Sequence, residues 1–263
     1  MKKFGIVAVI LVATVLIAGS AVWVFFYPSG SWRYRLTLDV ETPEGVKMGS
    51  SVRLVSAAAE PQITPEAHPH ARVTGEAVVV DLGNRGVLFA LISSPTSVDY
   101  GHQIVFDLFP FVHDVTFESG RTQTMTGSGE LTAEGIRFYA SLAGTAAGAL
   151  RNVPVAKLPT LVRFRDITDP KTVEIVDPND LAKSFGAGVL LKSSTIEMVD
   201  AGIWPLTMFG ITGEPVTTGI GKKLLWLEDF YDLKLDGRRI ETIDAPNRLA
   251  NSLSSGAFKT EKN

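Results

Sequence analysis

The sequence predicts an α+β domain, rich in antiparallel strands, behind one N-terminal transmembrane helix. Three observations point there. An uncharged apolar run occupies Phe4 to Tyr27. Strict apolar–polar alternation follows from Arg33 to Glu41. Further on, short strand-like runs are punctuated by glycine and proline, with only brief helical signals between them. A sandwich-like packing of hairpins, capped by short helices, is one arrangement that would bury these runs.

The first element is the most sharply defined. Met1-Lys2-Lys3 is a basic head, and the 24 residues from Phe4 to Tyr27 carry no charge. As a helix this run is roughly 36 Å long, enough to cross a bilayer core with some tilt. Lys2 and Lys3 are expected to stay on the cytoplasmic side of the inner membrane, sending the remaining chain across. Trp23, Phe25, Phe26, Tyr27 and Trp32, with Tyr34 just beyond them, crowd the exit end, where aromatic rings favour the headgroup level. These five and the two lysines are the expected membrane-interface anchors. The alternative is a cleaved secretory signal, for which Gly19-Ser20-Ala21 supplies small residues. The run continues well past Ala21, which favours the uncleaved anchor.

Composition narrows the function. The 263 residues hold 25 Lys+Arg, 28 Asp+Glu and no cysteine. Disulfides, cysteine-ligated metal and cysteine nucleophiles are excluded. Without Lys2 and Lys3, 23 basic residues face 28 acidic ones, so the exported part is mildly acidic. Neither nucleic acid nor an anionic lipid surface would attract it by charge. The helix is what holds it to the lipid bilayer.

The exported domain, 28–263, opens with a strand over Arg33–Glu41, with Tyr34, Leu36, Leu38 and Val40 on one face. Pro43-Glu44-Gly45 turns the chain into a returning strand around Val52–Val55. Residues 56–72, with three prolines, read as a loop. Val78–Val80 and Val87–Ile92 flank Gly83-Asn84-Arg85-Gly86 as a hairpin with arms buried on both faces. Val98–Phe109 fits a helical face, with a short strand as the alternative. Ser119–Glu130 reads as an exposed loop or edge hairpin. Residues 143–159, rich in small residues and then proline, are the candidate subdomain break. Leu161–Arg165 and Val189–Val199 are strand candidates. Asp177 to Gly186 is a short helix, with Asp177 as its cap, Pro178 at its first position and Gly186 closing it. Thr218–Leu227 and Asn247–Leu253 suggest further short helices, and Asp236-Gly237 a turn.

No spacing in the chain carries a familiar chemistry. Gly219-Ile220-Gly221-Lys222-Lys223 lacks the earlier glycine and the hydroxyl of a phosphate loop. Asp166, Asp169, Asp177 and Asp180 lack calcium-loop spacing and suit caps and turns better. His102 lies near Asp99 and Asp107, and His113 precedes Asp114. Imidazole with carboxylate can bind a metal or act as base and orienter. The plainer reading is local hydrogen bonding, with His68 and His70 in a loop. Trp204, Met208 and Phe209 form an apolar patch, a core element or, if exposed, a contact site.

Thr42-Pro43-Glu44-Gly45, Leu161 to Asp166, Val176 to Ala182 with Ser184-Phe185-Gly186, and Glu214 to Gly219 together resemble a family of short, signal-bearing or membrane-anchored proteobacterial envelope proteins. No activity is known for that family, so the resemblance implies a bacterial envelope setting and assigns no residue a role. The reading that results is a membrane-anchored envelope binding or interaction module without a catalytic site or cofactor. Its partners would be the lipid bilayer and another envelope protein. The alternative is an envelope hydrolase or metal-binding protein using His102 or His113 with Asp99, Asp107 or Asp114.

Overall fold

Alternation over the first strand fixes which face of the largest sheet is dry. The computed structural model describes residues 13–14, 28–59, 70–126, 131–145, 149–202, 206 and 211–260. Strand β1 (Ser29–Thr42) buries Trp32, Tyr34, Leu36, Leu38 and Val40, while Arg33, Arg35, Thr37 and Asp39 stay half-exposed. It pairs antiparallel with β2 (Gly45–Ala58) through the expected turn at Pro43-Glu44. Arg85 clasps that turn with two guanidinium hydrogen bonds to Glu44, which hold the exposed Glu44 carboxyl down at about 2. The sheet has the order β3-β2-β1-β11-β8, with β3 at His70–Thr74, β8 at Leu150–Asn152 and β11 at Leu190–Val199.

A second antiparallel sheet runs β10-β9-β5-β4, built from β4 (Val78–Asp81), β5 (Val87–Ala90), β9 (Leu161–Phe164) and β10 (Val173–Ile175). The expected β4–β5 hairpin turns through Gly83 and Gly86, whose φ of 65° and 105° suit glycine and disfavour other residues. Both its faces are covered, as its continuous apolar runs require. Val78, Val80, Leu88 and Ala90 join the β1 residues in one core. Ala77, Phe89 and Leu91 pack on the opposite side against Trp226, Leu235 and Phe258 of the C-terminal segment. A small exposed hairpin, β6 (Val112–Thr116) with β7 (Thr122–Thr126), stands apart from both sheets.

Among the described residues after β1 begins, four short α-helices form: α1 (Tyr100–Leu108), α2 (Ala133–Thr145), α3 (Leu181–Phe185) and α4 (Arg248–Ser252). The helical alternative thus holds for Val98–Phe109. Asn247 caps α4, accepting hydrogen bonds from the amides of Leu249 and Ala250.

Several expected boundaries change. The 56–72 loop is shorter than expected, because β2 runs to Ala58 and His70–Thr74 pairs with it. Asp180, not Asp177, caps α3 by accepting from the Lys183 amide; Asp177 instead closes a turn on Asn179. Thr218–Leu227 forms no α-helix but two 3₁₀ turns, Ile220–Lys222 and Leu227–Phe230. Part of the 143–159 segment is ordered structure: α2 ends within it, and β8 adds to the first sheet. Strands from both sides of it pair, β1 with β11 and β5 with β9.

Close approach between the sheets imposes one strict requirement. A Cβ on Gly49 of β2 would sit well inside 3.0 Å of the Val79 backbone. Backbone cannot rotate away as a side chain can, so Gly49→Ala is expected to cost about 1–3 kcal/mol or more. Thermal unfolding checks this, and a loss under about 0.5 kcal/mol would refute the tight contact.

Candidate functional site

A cleft of about 980 Å³ opens where the C-terminal segment crosses the link between β3 and β4. That link, Gly75 to Ala77, is laced to the C-terminus. The amide of Gly75 donates to Thr260 Oγ1, the Thr260 amide donates to the Gly75 carbonyl, and the Ala77 amide donates to the Phe258 carbonyl. On the other wall, Thr217 exchanges hydrogen bonds with Val52 of β2 through its amide and its hydroxyl. Such a volume falls in the range of ligand sites, about 300–1,000 Å³.

Glu76 is the polar group that the fold builds into this cleft. It is 5% exposed. Its carbonyl accepts from Ser51 Oγ and Arg53 Nε, which fixes its backbone from the core side. Its carboxylate Oε2 accepts from the amide of Ile220 at 2.8 Å. The turn Ile220–Lys222 thus begins with an amide that donates to a carboxylate of the chain itself. The second oxygen, Oε1, accepts no hydrogen bond from the described residues and is not sealed from solvent. That oxygen is thus open to a donor entering the cleft.

Arg53 supports Glu76 from behind. Its guanidinium is 1% exposed and lies on the same face of β2 as Val55. It donates to the carbonyls of Glu76, Ala90 and Leu91 and, at 3.5 Å, to Tyr34 Oη. Tyr34 in turn donates to the Gly101 carbonyl. Burial pushes the Tyr34 phenol above its ordinary range, with Arg53 opposing, so the phenol stays neutral and can donate. Sequence patterning gave Arg53 no such role.

Of the residues singled out from sequence, Asp99 and His102 line one small cleft, beside Arg72 and Val73 of β3. His102 is half-buried on α1 against Phe106, with ring centroids 5.5 Å apart. His113 lies on β6, stacked on Phe111 at 4.6 Å, with Nδ1 buried and unbonded. Asp107 pairs with Lys157 at 2.6 Å, and Asp114 accepts from Thr124. Asp166, Asp169, Asp177 and Asp180 all bind nearby backbone amides. Among the described residues no three His, Asp or Glu side chains are grouped to hold a metal ion.

Burial holds the His102 pKa below its ordinary 6.5, with Asp99 opposing. Unfolding restores the ordinary value, so below 6.5 the unfolded chain binds more protons. The stability this group contributes is present above pH 6.5 and lost as pH falls through the folded value. The melting temperature is expected to drop between pH 7.5 and 5.5, and less steeply in His102→Gln. Equal slopes in the two proteins would contradict this.

Of the expected membrane-interface residues, Trp32 is corrected. It is fully buried between Phe106 and Tyr139, with ring centroids 6.1 and 5.3 Å away. Its position on β1, in phase with Tyr34 and Leu36, turns it into the core rather than toward lipid. Lys2, Lys3, Trp23, Phe25, Phe26 and Tyr27 lie outside the described residues, as do Trp204, Met208 and Phe209. Of the run Phe4 to Tyr27 only Ala13 and Thr14 are described, and both are helical. Among the described residues no helix is long and apolar enough to cross a membrane.

Comparison with protein-family models, with curated proteins and with solved structures finds no match to this chain.

Proposed function

We propose that this is a single-pass inner-membrane protein whose exported domain is a binding module, with the cleft around Glu76 as its ligand site. The observation that carries this reading is the Glu76 carboxylate, buried in a large cleft with one oxygen used by the fold and the other left to it. The uncharged run Phe4 to Tyr27 supports the anchor, and Ser29 begins β1 only two residues beyond it. The domain would thus be held close against the membrane on a short tether.

A ligand that binds the folded chain raises its melting temperature by mass action. The test is a thermal-shift survey of the full chain in detergent with small cations, anions, sugars and short peptides. A compound that raises the melting temperature of the wild type but not of Glu76→Gln supports the reading. Hits that are indifferent to Glu76→Gln, or turnover of a hydrolase substrate that depends on His102 or His113, would overturn it.

A further inference from the structure

Resting on that reading, we propose that the cleft takes an organic cation, a primary ammonium or guanidinium group, against Oε1 of Glu76. The charge balance of the cleft favours this. Glu228 and Lys259 line it as an ion pair at 2.5 Å and offset each other. What remains is Glu76 and Asp232 against Lys222, a net negative charge. Lys222 is exposed and its ammonium makes no hydrogen bond or ion pair with the described residues, so it leaves Glu76 unpaired.

An ammonium or guanidinium group also needs neutral acceptors for its remaining N–H groups. Thr218 and Ser254 line the same cleft, and their hydroxyls make no hydrogen bond to the described residues. A divalent metal ion fits less well, since it would want several carboxylates together and the described residues offer no group of three. An anion would have to approach a buried carboxylate.

The test is NMR titration of the full chain in detergent with four probes. Pentylamine represents a free amine, and Nα-acetyl-lysine amide represents the side chain of a partner protein. N-acetyl-norleucine amide is the uncharged counterpart, and inorganic phosphate the anion. Saturable shifts at Thr218, Tyr231 and Ser254 are expected with a cation, at least tenfold weaker in Glu76→Gln. That variant keeps the carbonyl oxygen that can accept from Ile220, so loss of fold is not expected. Should it nonetheless unfold, Thr218→Arg supplies the second arm. Thr218 is exposed, and a guanidinium there should weaken cation binding by a similar factor. Pentylamine binding more tightly than Nα-acetyl-lysine amide identifies a free amine, and the reverse order a protein side chain.

Equal binding of the norleucine probe, tighter binding of phosphate, or cation binding unchanged in both variants overturns the cation assignment. Binding of an uncharged or anionic probe that is lost in Glu76→Gln overturns the assignment while leaving the cleft as a ligand site. Absence of any shift at the cleft with all four probes also overturns the cation assignment.

Discussion

Replacing Arg53 with alanine is expected to lower unfolding free energy by about 3–5 kcal/mol, measured by urea denaturation of the full chain in detergent. Arginine is almost never fully buried unless paired, yet Arg53 has no carboxylate partner among the described residues. Carbonyl dipoles take that place. Its donors reach Glu76 and the Ala90–Leu91 backbone, and through Tyr34 connect to Gly101 at the start of α1. Truncation withdraws donors from several buried oxygens, each costing about 1–3 kcal/mol, and leaves a cavity. Arg53→Lys should recover little, because one ammonium cannot span acceptors on three sides. Both variants should also loosen Glu76, whose backbone Arg53 and Ser51 hold. A loss under about 1 kcal/mol in Arg53→Ala would show that the network contributes little.

Trp32→Ala is the second large effect, expected to cost about 3–5 kcal/mol. The indole fills the space between β1, α1 and α2, against Phe106 and Tyr139, and these rings pack on one another at 4.8 Å. Trp32 Nε1 is buried with no hydrogen-bond partner, so the indole contributes through packing alone. Trp32→Phe should therefore retain much of the stability. An interfacial tryptophan would behave differently: its removal would weaken membrane seating and leave the unfolding of the domain nearly unchanged. That second pattern would contradict the core placement of Trp32.

The elements that were legible in the sequence are those that local rules specify. β1 follows from period-two alternation and the β4–β5 hairpin from glycines between apolar runs. Trp32 shows how one signal can mask another. Aromatic crowding after the apolar run suggested lipid, although the phase of β1 already placed Trp32 with Tyr34 and Leu36. The helix α2 was missed, since only its last three residues fall in the expected 143–159 break and no helical signal was read from its small residues. They serve packing: Gly30 of β1 approaches so closely that a Cβ there would meet Ala140 at 3.0 Å. Edge strand β3 has a weak pattern of its own and is set by its pairing with β2.

The cleft was not legible at all. Glu76 meets Ile220 across 144 positions, and the C-terminal wall comes from residues near 254–260. No motif spacing encodes such a convergence. Of the residues that did stand out, His102 and His113 pack on aromatic rings, and Asp107, Asp114, Asp166, Asp169, Asp177 and Asp180 are held in ion pairs, hydrogen bonds and turns.

The proposed protein is an exported domain, held at the membrane, with an open cleft around Glu76. Because the chain has no cysteine, a single Thr218→Cys introduces a unique thiol at the cleft mouth. Labelling intact spheroplasts with a membrane-impermeant maleimide tests side and access together, with Ile243→Cys, 90% exposed, as the reference. Both thiols are expected to react before lysis, with the chain retained in the membrane fraction. Reaction only after lysis would contradict the topology. Reaction at Ile243→Cys without reaction at Thr218→Cys would contradict the open cleft.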